Sequence, residues 1–150
     1  MILEKEFQIK LPLVKSLSSL CFNSEGRVIH KFNGKVEVEA HPKDSLIFNE
    51  SIKWENGDNL LINSKNIYRW TFLEFGNIKL EHLRFGTDHP VFLVELAKSG
   101  EKKWKSIEPH KCGMDLYSAE LYLKNKQLVL IWTVKGPTEN YALKTVYSTI

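Results

Sequence analysis

Cysteine is scarce: the 150 residues include two, Cys21 and Cys112. That is too few for a disulfide framework, and a chain with 43% hydrophobic residues can build a core without a staple, so both are expected to be free thiols. Long apolar runs are also lacking. None nears the roughly 18 residues that a membrane helix needs, and Met1 to Phe7 carries Glu4 and Glu6 where a secretory signal would have a basic region. The expected location is the cytoplasm. Neither sign of charge dominates, with 21 Lys or Arg against 18 Asp or Glu and a net charge of +3. This argues against an acidic disordered chain and against a basic coat for nucleic acid. There is no Gly-rich phosphate loop and no nucleophile elbow. His110-Lys-Cys112-Gly-Met-Asp115 has no second Cys or His pair with which to complete a zinc site, so no metal is assigned. A wide barrel has room for haem, but nothing selects one of the five histidines as its ligand, and no cofactor is assigned.

Turn signals run along the chain, at Asn23 to Gly26, His41 to Asp44, Asn56 to Asp58, Gly76-Asn77, Gly86 to Pro90, Ser99-Gly100, Asn125 and Gly136 to Asn140. The segments between them alternate with a period of two. Val28, His30, Phe32, Gly34, Val36 and Val38 form one row, and Leu46, Phe48, Glu50, Ile52 and Trp54 another. Ten strands are expected, over 16–22, 28–39, 46–55, 60–74, 78–85, 91–97, 102–107, 115–123, 128–135 and 141–149. Residues 2–15 carry a short helical or irregular segment, interrupted at Pro12. Strands do not alternate with helices, which excludes a parallel nucleotide-binding sheet. The expected fold is a single all-β domain over residues 1–150: an antiparallel up-and-down β-barrel of about ten strands, with room for a ligand cavity. A β-sandwich is the alternative.

Several polar residues fall on inward rows: His30, Glu50, His82, Arg84, Asp115 and Tyr117. Each needs a partner, water or a ligand, because burying an ionised group alone is costly. A hairpin around Gly76 would set Trp70 across from His82 and Tyr68 across from Arg84; a loop around Pro42 would set Glu50 near Gly34. A two-residue turn at Asn56-Gly57 would instead turn Arg69 inward, whereas a three-residue loop keeps Tyr68 and Trp70 inside. In a meander, the loops at 23–27, 56–58, 86–90, 108–114 and 136–140 share one mouth. The candidate ligand contacts are therefore His30, Tyr68, Trp70, His82, Arg84, His110, Asp115, Tyr117, Trp132 and Tyr141. A small, partly apolar or amphipathic molecule would set an anionic head against Arg84 and the histidines, and its apolar part among Phe32, Phe48, Trp70 and Trp132. A second reading is a small-molecule enzyme with His110, Asp115 and Tyr117 as acid–base groups. A third is a structural or partner-binding domain whose inward polar groups satisfy one another.

His110-x-Cys112-x-x-Asp115-x-Tyr117, Trp132-Thr-Val-Lys-Gly136-Pro137, Tyr141 and Thr145-x-Tyr147 together resemble a family of small uncharacterised proteins of bacteria and fungi, a domain of unknown function. Phe32-x-Gly34, Phe48-x-Glu50, Tyr68-x-Trp70 and Asp88-x-x-Val91-Phe92 extend the resemblance more loosely over about residues 30 to 147. The resemblance implies a lipocalin-like or calycin-like barrel and no assigned activity. That family tends to carry basic residues after the Gly-Pro and an Arg after the final Tyr, where this chain has Thr138-Glu139-Asn140 and Thr149.

Overall fold

In the computed structural model, residues 10–41, 44–55, 61–124, 127–137 and 139–150 are described, without the side chains of 55, 61 and 62. The alternating segments become strands: β1 Ser16–Asn23, β2 Val28–His41, β3 Ser45–Glu55, β4 Leu61–Phe72, β5 Ile78–His82, β6 Val91–Gly100, β7 Lys103–Ser106, β8 His110–Cys112, β9 Asp115–Lys124, β10 Gln127–Lys135 and β11 Asn140–Ser148. Every pairing is antiparallel. Neighbours in sequence pair along the meander except β7 and β8, which both pair with β9. β11 returns to β1, and β9 with β10 completes the ring. β7 and β8 lie one after the other along β9, so together they occupy one place in a closed ten-stranded barrel. The short β8 was expected to be loop. The helical reading of residues 2–15 reduces to a 3-10 turn over Leu11–Leu13 with Pro12 inside it, residues 1–9 being outside the described part. The turns expected at Pro42, Asn56 to Asp58 and Asn125 also fall outside it.

One half of the barrel is filled. Leu17, Val36, Leu46, Phe48, Trp70, Ile78, Leu96, Trp104, Leu121, Leu128 and Tyr147 form a continuous buried cluster. These residues sit at the strand ends nearest the β2–β3, β4–β5, β6–β7 and β9–β10 connections. Leu11 and Val14, both buried, pack onto the same cluster from the 3-10 turn and close that end. The interior toward the opposite loops is the part left open.

Parity survives where register does not. Tyr68 pairs with His82 and Trp70 with Leu80, two residues from the expected alignment. The β4–β5 loop is centred on Phe75 rather than Gly76: Leu73 N–H donates to Asn77 O at 2.8 Å, and Phe75 takes a φ of 65°. Because the shift is even, Tyr68 and Trp70 stay inside. Arg69 points the other way and donates to Glu81 at 2.9 Å. Glu50 likewise pairs with Val36, while Gly34 pairs with Ile52 and Leu17. Gly34 thus makes room for its neighbours and not for Glu50. A Cβ there would stand 2.6 Å from the Ser51 carbonyl oxygen and 3.3 Å from Leu17. Gly34→Ala is expected to cost about 1–3 kcal/mol, since a backbone atom must yield; a urea melt indistinguishable from wild type would refute this close approach.

Candidate functional site

The open half of the interior holds two adjoining chambers that share Tyr68, Trp132 and Leu143 as walls. The inner one, about 280 Å³, runs from the core to Trp54 and Ser64. The other, about 250 Å³, opens between β5, β6, β8 and β9. Alternation of side chains produces both. Inward positions of β3 and β4 deliver Glu50, Ile52, Trp54, Ser64, Asn66, Tyr68 and Trp70; those of β10 and β11 deliver Leu130, Trp132, Leu143, Thr145 and Tyr147.

Glu50 is the singular residue of the inner chamber. It is 4% exposed, and its Oε2 accepts a 2.6 Å hydrogen bond from the Tyr147 hydroxyl. Among the described residues no Lys, Arg or His forms an ion pair with it. Burial pushes its carboxyl up to about 7, against the opposing pull of the Tyr147 hydrogen bond. Burial and then the Glu50 charge hold the Tyr147 and Tyr68 hydroxyls well above the usual phenol range. Nearby, Ser19 Oγ and Thr145 Oγ1 share a hydrogen bond of 2.8 Å. The buried Trp70 Nε1–H has no hydrogen-bond partner among the described residues. Sequence reasoning placed Glu50 inward, near Gly34, but assigned it no partner; Tyr147, Ser19 and Thr145 were missed. A lone carboxylate in the row Leu46, Phe48, Glu50, Ile52, Trp54 was the available signal.

The second chamber gathers seven of the ten expected contacts: Tyr68, His82, Arg84, His110, Tyr117, Trp132 and Tyr141, with Cys112 beside them. His110 and Tyr117 face each other across β8 and β9 with ring centroids 6.3 Å apart. Burial, with the Tyr117 hydroxyl next to it, pushes Tyr141 up to about 12. Burial and the Arg84 charge lower the His82 pKa.

Three expected contacts lie elsewhere. Trp70 belongs to the inner chamber. His30 is exposed and rests on Phe32 and Trp54, whose rings it meets at 6.0 and 6.2 Å. Asp115 lies with its carboxyl over Gly136, where any Cβ would collide with it. Its carboxyl therefore packs against the β10–β11 turn, in which Gly136 N–H donates to Glu139 O at 2.9 Å, and is not gathered with His110 and Tyr117 in one lining. Phe48, an expected apolar contact, is wholly buried in the core and lines neither chamber. Arg84 is a rim residue and not an inward one. β5 ends at His82, Leu83 N–H turns to Ile67 O, and the exposed Arg84 guanidinium lies 5.6 Å from the Phe85 ring centre. A water-exposed guanidinium adds little to binding compared with a buried one.

Cys21 is buried and Cys112 exposed, both as free thiols. Among the described residues no three His, Cys, Asp or Glu side chains gather as a metal ion would require, and no helix is long and apolar enough to cross a membrane. No curated protein matches the sequence. A family of unknown function, DUF6314, matches residues 16–149, a span that takes in all eleven strands and both chambers. The chain therefore belongs to the DUF6314 family.

Proposed function

We propose that this lipocalin-like barrel binds a small, partly apolar molecule in its two chambers. One observation carries the reading: a closed barrel that packs one half solidly keeps about 280 and 250 Å³ open in the other, walled by aromatic and aliphatic side chains with a few polar groups. Empty space of this kind forfeits packing energy, so a fold kept for stability alone gains nothing from it. The apolar part of the ligand lies against Trp54, Trp132 and Leu143, and its polar part reaches the rim at His82, Arg84, His110 and Tyr117.

The test uses anilinonaphthalene sulfonate, an apolar dye with an anionic group, together with native mass spectrometry of protein isolated from its own host. The wild type should brighten the dye and carry a reproducible small mass. Leu143→Trp, which fills the wall shared by the chambers, should weaken dye binding tenfold or more, whereas Arg84→Met should weaken it only a few-fold, about what an exposed charge contributes. A folded protein that carries no mass and leaves the dye dark would refute the reading.

A further inference from the structure

The inner chamber combines two features that the binding reading alone does not explain. It buries a carboxylate that no Lys, Arg or His among the described residues pairs with, and aromatic side chains line the same space. Glu50 projects from the middle of β3 with Tyr147 bonded to one oxygen. Phe32, Trp54, Tyr68, Trp70 and Trp132 line the same space. The Phe32 and Trp54 rings stand edge to face at 5.7 Å, toward the open end.

A carboxylate removed from water is costly unless a positive charge offsets it. Aromatic faces attract cations, and they do so more strongly when water is excluded. Arg84, which lines the other chamber, is exposed. We infer that the inner chamber is a site for an organic ammonium ion with an apolar arm, with Glu50 as its counter-ion and the surrounding rings as its cage. This deepens the binding reading and rests on it. An ammonium carrying alkyl groups suits the site better than a bare metal cation. A hard ion asks for six or more oxygens, whereas here Glu50 is the one carboxylate in a wall rich in aromatic and aliphatic side chains, Tyr147 is bonded to it, and Ser19 and Thr145 are bonded to each other.

Among the described residues the titratable groups facing Glu50 are Tyr147 from β11 and Tyr68 from β4, and neither supplies a positive charge. Cation binding should therefore follow the ionisation of Glu50 and weaken as pH falls from 8.5 to 5.5.

The probes are benzyltrimethylammonium and neopentylbenzene, in which carbon replaces the nitrogen so that shape is retained and charge is lost. Binding is read by tryptophan fluorescence at pH 8. The cation should bind at least tenfold more tightly than its neutral counterpart. Glu50→Gln, which keeps an acceptor for Tyr147, should abolish that preference while still taking up neopentylbenzene, which shows that the chamber is intact. If the variant does not fold, the wild-type pH series decides: cation affinity should drop tenfold or more between pH 8.5 and 5.5, and a flat series overturns the inference. Equal binding of both probes also overturns it but leaves the barrel a binder of apolar molecules. If neither probe binds while the anilinonaphthalene dye does, the ammonium site is again refuted and the binding reading stands. If nothing binds, both fall.

Discussion

Glu50→Gln is expected to stabilise the ligand-free protein at pH 8 by about 3 kcal/mol. The magnitude follows from a carboxyl whose ordinary value of 4.5 is raised to about 7 in the folded state, at about 1.36 kcal/mol per unit. The residue is 4% exposed, so solvent screening takes little away. The sign is fixed by which state holds the proton. Between pH 4.5 and 7 the folded protein keeps a proton that the unfolded chain has released, so the Glu50 contribution is full below pH 4.5, declines through this window and is lost above about pH 7. Glutamine removes that dependence. Urea denaturation of both proteins from pH 4.5 to 8 should give curves that coincide at the acid end and separate steadily above it. A variant that is less stable than wild type at pH 8 would mean that the ionised carboxylate is already well satisfied inside the barrel.

Phe48→Ala is expected to cost about 3–5 kcal/mol. Phe48 is fully buried and meets the rings of Trp70 at 5.4 Å and Tyr147 at 5.5 Å. It packs behind Trp70 and Tyr147, which line the inner chamber, and its removal leaves a void that Tyr147 can enter, taking its hydroxyl away from Glu50. Chemical denaturation should show the loss, and Phe48→Leu, which refills most of the void, should recover much of it. A Phe48→Ala protein within about 1 kcal/mol of wild type would show that the core at this level collapses easily.

The strands were legible because a half-buried strand writes its two faces into the sequence with a period of two. The inward placement of Tyr68, Trp70 and His82 needed no more than that. Register was less legible. Both the Tyr68–Arg84 and the Gly34–Glu50 alignments were displaced by two residues, an even slip that the hydrophobic pattern cannot detect because it leaves every side chain on its own face. In the first case the cause is local, a loop built on Phe75 with a positive φ, a conformation unusual outside glycine. Arg84 shows a further limit: alternation continued past His82, but the strand did not. The Glu50–Tyr147 bond joins residues 97 apart in the chain and exists only because β11 returns to β1 to close the ring. Local pattern could flag Glu50 as needing a partner without saying which.

The four tryptophans supply the most direct test of a ligand-filled interior. Trp54, Trp70 and Trp132 line the inner chamber. Trp104 lies in the packed half, its Nε1–H donating to Gly76 O at 3.1 Å. In a proton–nitrogen correlation spectrum each indole N–H gives its own signal, and these can be followed while benzyltrimethylammonium is added at pH 8. Saturable shifts of the Trp54, Trp70 and Trp132 signals with Trp104 unmoved are the expected result. Shifts confined to Trp104, or no saturable shift at any indole, would contradict an interior site for this cation.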